Sequence, residues 1–430
     1  MNQLFRGLLV SLIFSSVLMA QEKPIAFTNA HIIPIEGAEI EKGTLLIQNG
    51  RILEVGASVN IPSDATTVDA SGKVIMPGLV DTHSHLGGPS GGDRSAALNP
   101  EVRVLDALDP TSDGFKRALA GGITTLNVMP GSGHLMSGQT VYLKLRKGAR
   151  KIEDLLFCSD PLNDICGGMK MANGTNPING TPNFPGTRAK SAAMARTLYT
   201  KAQEYKKKVE EAASDTSKQA PPRDLQMEGL VEILDGKRIV HFHTHRHDDV
   251  LTAIRLSQEF GFKVVLHHVS EAWKVADEIA AAGVPASIIV IDSPGGKLEA
   301  MDLRNTNGAR LEQAGAMVGF HTDDGITDSR FFIRSAAVGV REGMSREAAL
   351  KALTLAGAEM LELDDQLGSL EKGKDADFII LNGDPFSVYT HVEQTWVEGQ
   401  QVFDRSQPED HAFATGGYKV YRSTLHIHAE

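Results

Sequence analysis

Cysteine, surplus positive charge and long apolar runs are all scarce in this chain of 430 residues. Its two cysteines, Cys158 and Cys166, cannot make a zinc site by themselves. We favour two separate thiols over the alternative of a local disulfide. After the first twenty residues, no apolar run is long enough to cross a bilayer.

The charge balance argues against a nucleic-acid partner. Lysine and arginine number 43 against 54 aspartates and glutamates, which gives a net charge of −11. Proteins that bind phosphate backbones need a basic stripe, whereas the cluster Lys206, Lys207 and Lys208 lies among acidic neighbours on a predicted helix. With 41% hydrophobic and 23% charged residues, the composition is that of a soluble globular protein with a sizeable core.

The N-terminus has the order of a secretory signal peptide. Arg6 supplies positive charge, residues 7–19 are almost entirely apolar, and Ala20 precedes a polar segment. We therefore predict a signal peptide over residues 1–20 and a secreted or periplasmic mature protein. No membrane attachment is expected after cleavage.

Short β-prone segments occupy both ends of the chain. The dipeptide Asn49-Gly50 is a hairpin signal within the first group. The predicted strands are Ala26 to Ile33, Gly43 to Gln48, Arg51 to Val55, Thr67 to Asp69, Ala376 to Leu381, Gln394 to Val397 and Gln401 to Phe403. A small β-sandwich domain built from residues 21–76 and 362–430 explains this distribution.

Apolar runs alternate with helical stretches in the middle of the chain. The candidate strands are Val74 to Val80, Ile123 to Met129, Leu155 to Phe157, Gly168 to Met171, Ile239 to His243, Val264 to Leu266, Ala286 to Ile291 and Met317 to Phe320. The predicted helices between several of them include Ala189 to Ala213 and Val250 to Phe260. Eight strands alternating with helices predict an α/β fold, a (β/α)8 TIM-like barrel over residues 77–361.

Metal-capable side chains gather where these strands end. His83 and His85 are two residues apart after the first apolar run, so they face the same side. His245, His268 and Asp323 each follow a later strand. Because barrel active sites lie at the carboxyl ends of the strands, this pattern predicts a metal site there.

Two longer phrases resemble the amidohydrolase superfamily. The segment Val74 to His85 looks like that family's entry into its first barrel strand, and Gly368 to Asp377 looks like its return to the β-sandwich. More narrowly, His245 to Asp249 and Lys170 to Gly174 are similar to segments of the imidazolonepropionase-like branch, which also contains Xaa-Pro dipeptidases.

The resemblance implies roles for individual residues. His83 and His85 would hold one divalent metal, His245 and His268 a second, and Asp323 would touch the first metal and carry protons. Zinc is the expected ion. Thr175 stands where relatives carry a glutamate, which leaves one or two metals per chain open.

In binuclear members of the family, a carboxylated lysine bridges the two metals. Lys170 is our choice for that lysine, and Lys144 is the alternative. An ordinary surface lysine is the third possibility for either position.

Further residues receive weaker assignments. Arg246, His247, His321 and Tyr142 are candidates for substrate contact. We expect His241 and His243 to lie deeper and to be structural or supporting. His267 should point away if His268 points inward, because side chains alternate along a strand.

The predicted reaction is hydrolysis of a C–N bond in a small-molecule or peptide substrate by metal-activated hydroxide, with Asp323 as proton shuttle. Export favours small peptides or N-acyl amino acids. Cyclic-amide hydrolysis of the imidazolonepropionase type and deamination are alternatives from the same class. A non-catalytic ligand-binding barrel is the alternative from another class, and it predicts a gap among the metal ligands. The sequence leaves a homo-oligomer open.

Overall fold

The computed structural model describes residues 23–88, 92–93, 95–290 and 297–416. The predicted signal peptide of residues 1–20 lies outside these ranges. The described helices are α1 (Asp113–Ala120), α2 (Arg188–Ser214), α3 (Leu225–Leu234), α4 (His247–Phe260), α5 (Ala276–Ala281), α6 (Asn307–Ala314), α7 (Phe332–Arg341), α8 (Arg346–Leu353), α9 (Leu355–Met360) and α10 (Pro408–Thr415). None of them combines the length and apolar character needed to span a membrane.

The strands come from the whole described chain. They are β1 (Ile25–Ile32), β2 (Ile40–Gln48), β3 (Arg51–Gly56), β4 (Thr66–Asp69), β5 (Val74–Pro77), β6 (Leu79–Ser84), β7 (Ile123–Val128), β8 (Met136–Gln139), β9 (Val141–Lys144), β10 (Met169–Ala172), β11 (Val240–Thr244), β12 (Val264–His268), β13 (Ala286–Ile288), β14 (Val318–Phe320), β15 (Phe378–Leu381), β16 (Val392–Val397) and β17 (Gln400–Asp404).

One eight-stranded sheet joins the two ends of the chain. Its order is β17-β16-β15-β5-β1-β2-β3, with β4 paired to β1. Asn49 and Gly50 both have positive φ, 50° and 76°, as the tight turn between β2 and β3 requires. Phe27 packs edge-on against Phe378, with ring centroids 5.1 Å apart. The predicted terminal strands are therefore confirmed, whereas the domain boundaries stay a prediction.

Two further sheets carry the middle of the chain. A six-stranded sheet runs β14-β13-β12-β11-β10-β8, and a three-stranded sheet runs β6-β7-β9. The ends of β14 and β6 meet where the Asp323 backbone N–H donates to the His83 carbonyl at 2.9 Å. The α/β class is confirmed. Within the described residues no ladder closes the two sheets into one, so the closed barrel stays a prediction.

One of the predicted strands is wrong. Leu155 to Phe157 is not a strand, because residues 152–155 form a turn of 3-10 helix and Leu156 forms only an isolated β-bridge with Leu143. At the start of this turn the Asp154 side chain accepts from the Lys151 backbone N–H at 3.2 Å. Two strands that were not predicted from the sequence, β8 and β9, lie before this segment and belong to different sheets.

The preferred interpretation of the cysteines is also wrong. Cys158 and Cys166 form a disulfide across a loop of eight residues' separation, with their Cα atoms 5.1 Å apart. The short loop brings the two Cα atoms within the range that a disulfide needs.

Candidate metal centre

Three predicted ligands converge at the end of β6. The Asp323 Oδ1 lies 3.0 Å from His85 Nε2 and 3.6 Å from His83 Nε2. The two ring nitrogens are 3.3 Å apart. His85 donates through Nδ1 to the Met129 carbonyl at 2.7 Å, which presents Nε2 toward the carboxylate. The structure therefore brings His83, His85 and Asp323 together as a potential metal site.

The backbone around these residues is held in an unusual conformation. Asp323 has a φ of 48°, and His268 and Val269 have φ values of 69° and 39°. Non-glycine residues in this left-handed region are uncommon, and they cluster at functional sites where the surroundings impose them. Their position here agrees with a functional centre.

Lys170 lies at this centre and Lys144 does not. The Lys170 side chain is fully buried on β10, with Nζ 3.0 Å from His83 Nε2. Burial lowers the pKa of Lys170 from 10.5 to about 7, which favours a neutral amine. Lys144 instead contacts Asp375, Asp377 and Glu398. Of these two lysines, only Lys170 therefore lies beside the candidate ligands, and a bridging role stays a prediction.

His268 and His321 lie beside His83. The ligand atoms of these three residues lie within 4.8 Å of one another. His321 Nε2 is 3.2 Å from His268 Nδ1, and its Nδ1 is 2.8 Å from Ser287 Oγ. His321 is fully buried among these partners, and its contact with substrate stays a prediction.

The prediction that His267 points away is wrong. The rings of His267 and His268 lie with their centroids 5.0 Å and 4.8 Å from that of His83. The left-handed φ of His268 breaks the alternation of side chains at the end of β12. Both rings therefore face the same cluster.

His245 lies in a second group of potential ligands, with His243 and Glu299. Glu299 was missed because it lies in a short 3-10 helix rather than at the end of a strand, and no sequence signal marks it. Its Oε2 accepts from the Thr175 backbone N–H at 2.8 Å. The sequence indicated that this region lacks an acid, because Thr175 stands where relatives carry a glutamate. The Glu299 carboxylate, which contacts Thr175, supplies one.

The remaining substrate candidates fall into two groups. The Tyr142 hydroxyl is buried and lies 2.9 Å from His241 Nε2, beneath the centre. Arg246 pairs with Asp248, and the His247 ring is 2.6 Å from Glu271. Because Arg246 and His247 are partly exposed just after β11, substrate contact stays a prediction for these two residues.

The electrostatics suit metal ligation. Burial, the largest cause, lowers the pKa of His245 and of His321 to about 3 and those of His83, His243 and His268 well below 6.5. Burial opposes ionisation of Asp323, but its hydrogen bond with His85 and its electrostatic interactions with His85, His321 and Lys170 lower its pKa. Neutral imidazoles with an ionised carboxylate are what a divalent metal requires.

Several buried ring nitrogens have no hydrogen-bond partner among the residues that the structure describes. They include His83 Nδ1, both nitrogens of His243, His245 Nε2, His267 Nδ1 and His268 Nε2. Each such orphan costs about 1–3 kcal/mol unless another group satisfies it. The residues present therefore fit divalent metal binding, and histidine with carboxylate suits zinc, iron or manganese.

Comparison with known proteins agrees with this centre. The pattern that defines the amidohydrolase family matches residues 74–402. A solved amidohydrolase from Thermotoga maritima is 34% identical, with a TM-score of 0.82 over 89% of this chain and 100% of that chain.

Two curated relatives align along most of this chain. Amidohydrolase tasK of Hapsidospora irregularis is 27% identical over 84% of this chain and 40% of its own length. An imidazolonepropionase of Alkaliphilus metalliredigens is 22% identical over 86% of this chain and 92% of its own length. The chain thus spans about two fifths of the length of tasK, and tasK's whole activity does not transfer with the match.

Proposed function

This chain belongs to the amidohydrolase family of typically metal-dependent C–N hydrolases, and from that premise we propose that it is an exported hydrolase of small peptides or N-acyl amino acids. The observation that carries the proposal is the convergence of His83, His85 and Asp323 on one point. Export rests on the signal-like order of residues 1–20.

We assign the ligands as the sequence suggested. His83, His85 and Asp323 would hold one ion, His245 and His268 would contribute to a second, and Lys170, once carboxylated, would be a ligand of both. Zinc is the proposed ion. The proposed frame is a (β/α)8 barrel over residues 77–361, with a β-sandwich domain of residues 21–76 and 362–430.

A divalent metal in this centre supplies a hydroxide nucleophile near neutral pH and polarises the substrate carbonyl. Asp323 accepts the proton of the attacking water through the oxygen that faces His85. The C–N bond then breaks as Asp323 delivers that proton to the leaving nitrogen. Arg246 and His247, partly exposed just after β11, orient the substrate.

Cyclic-amide hydrolysis is the second candidate, favoured by the similarity to an imidazolonepropionase along most of the chain. Deamination follows as a third. The non-catalytic alternative predicts a gap among the ligands, and the five histidine and aspartate positions on which it depends are all filled.

The test measures metal content and hydrolysis together. Wild type, His83→Ala and the control His31→Ala, which removes an outlying histidine paired with Glu39, are purified without chelator. They are assayed on dipeptides, N-acyl amino acids and a cyclic amide. We expect one or two metals per chain in wild type and in the control, lost together with activity in His83→Ala. A metal-free, inactive wild type contradicts the proposal.

Export is tested separately. When the full chain is produced in a secreting bacterial host, the N-terminal sequence of the exported product should begin at Gln21. Retention of an uncleaved chain in the cytoplasm contradicts the export proposal and leaves the hydrolase proposal standing.

A further inference from the structure

Glu299 is a buried carboxylate that the proposed reaction does not use. It lies in a short 3-10 helix, Leu298–Ala300, on the chain that follows β13. Its side chain is only 2% exposed. Oε2 accepts from the Thr175 backbone N–H at 2.8 Å and from Arg188 Nη2 at 3.0 Å. Oε1 is buried and has no hydrogen-bond partner in the described part of the chain.

Two histidines face this carboxylate. The ligand atoms of His243, His245 and Glu299 lie within 4.8 Å of one another. His245 Nδ1 is 2.8 Å from Ser270 Oγ, which leaves Nε2 free to face the group. Neither ring nitrogen of His243 has a hydrogen-bond partner within the described ranges, and the same is true of His245 Nε2. Each of the three side chains thus carries an unpartnered buried atom, and a ligand atom of each lies within 4.8 Å of the others.

The ion pair with Arg188 does not account for this arrangement. Arg188 also bonds Asp249 through Nε at 2.8 Å, so one guanidinium serves two carboxylates. It contacts Oε2 of Glu299 and leaves Oε1 buried. Burying a carboxylate oxygen without a partner is costly, and a cation at the group removes that cost.

We propose that Glu299 is a metal ligand that, with His243 and His245, holds a divalent transition-metal ion. Two imidazoles and one glutamate are the ligand set of one class of catalytic zinc sites, which keep a further position open. The inference rests on the proposed function, because this ion is taken to be the second of the two ions and to lie beside the one held by His83, His85 and Asp323. It adds a carboxylate to the second ion and assigns a ligand role to His243.

The experiment compares Glu299→Gln with a matched control, Asp249→Asn. Each substitution neutralises one of the two carboxylates on Arg188, but only Glu299 belongs to the group with the two histidines. Metal content per chain and zinc affinity by chelator competition are measured for wild type and both variants. Melting temperatures with and without zinc report the same binding without an activity assay.

We expect Glu299→Gln to lose one ion per chain, or to bind it at least about tenfold more weakly, since even residues beyond the ligands change metal affinity by that much. The zinc-dependent part of its melting temperature should shrink accordingly. Asp249→Asn should keep the wild-type ion count and affinity. Wild-type count and affinity in Glu299→Gln overturn the inference.

A measurement on the wild type guards against a variant that fails to fold. In crystals of the zinc-loaded protein, an anomalous peak should lie within about 2.0–2.2 Å of a Glu299 oxygen. A protein that hydrolyses the substrate panel with zinc only at His83, His85 and Asp323 overturns this inference alone. A protein that binds no metal and lacks activity overturns the proposed function as well.

Discussion

Two regions of this protein each enclose a buried lysine, yet their surroundings are opposite. The metal centre surrounds Lys170 with imidazoles such as that of His83. The other region, here called the seam, consists of Lys144, Asp375, Asp377 and Glu398 and connects β9 with the eight-stranded sheet. Both lysines are fully buried.

The difference shows that partners, not burial, decide what a buried lysine does. Burial lowers the pKa of Lys170 to about 7, and the negative charge of Asp323 opposes this shift only in part. Burial also opposes the charge of Lys144, but Asp377, Asp375 and Glu398 outweigh it and raise its pKa. The seam thus neutralises its own charges and is suited to holding the sheets together. The metal centre leaves bases and orphaned nitrogens for a ligand to satisfy.

The largest predicted effect separates the two regions by function. Asp323→Asn should lower kcat by about 10²–10⁴-fold, the usual contribution of a proton-transferring side chain. Its melting temperature should change little when the variant and wild type are compared in chelator, where neither holds metal. The matched seam variant Asp377→Asn should behave in the opposite way, with lower stability and near-normal kcat in the folded fraction. Equal losses of kcat in the two variants would contradict the division into a catalytic centre and a structural seam.

A second variant tests the seam by stability. Lys144→Met should lower the free energy of unfolding by about 3–5 kcal/mol, because it leaves Asp375 and Asp377 buried without their cation. Urea denaturation measures this change, and metal content per folded chain should stay at the wild-type value. The control is Lys263→Met, which removes an exposed pair with Glu362 and should cost no more than about 1 kcal/mol. Loss of metal in Lys144→Met would indicate that Lys144, and not only Lys170, supports metal binding.

The sequence was sufficient to predict that three of the residues at the centre gather there. His83, His85 and Asp323 each follow an apolar strand, and strand polarity brings such ends together. The strands near both ends of the chain could also be predicted from the sequence, because the Asn49-Gly50 turn and their β-prone composition are local features.

The sequence could not decide whether Lys170 or Lys144 lies at the metal centre. Both lie in short apolar strands, and the partner that decides the matter, Asp375, is 231 residues from Lys144 along the chain. The orientation of His267 depends on a left-handed φ at His268 that no sequence signal announces. Glu299 lies in a 3-10 helix of three residues, which is too short for hydrophobic periodicity to predict.

The pH dependence of stability gives a third, smaller contrast. In the metal-free protein, folded Lys170 loses its proton at about pH 7, whereas the unfolded chain keeps it up to 10.5. Between these values the unfolded state binds more protons, so stability should rise with pH by about 1.4 kcal/mol per unit.

Lys144 should show the opposite sign. Its folded pKa is raised, so its contribution is complete below 10.5 and is lost only as pH rises further. Urea denaturation of chelated protein at pH 7.5, 8.5 and 9.5 should therefore show an upward slope in wild type that Lys170→Met removes. A slope that survives in Lys170→Met would show that another group titrates in this range.

The smallest predicted effect is that of Tyr142, which links the two regions. Its hydroxyl contacts the His241 ring, and its strand, β9, ends at Lys144 of the seam. Tyr142→Phe should lower the free energy of unfolding by about 1 kcal/mol, since it removes one buried hydrogen bond. Because the hydroxyl lies beneath the centre, KM and kcat should stay within about twofold of wild type. The exposed Tyr389→Phe serves as control for stability. A tenfold rise in KM in Tyr142→Phe, with unchanged kcat, would instead place this hydroxyl on the substrate.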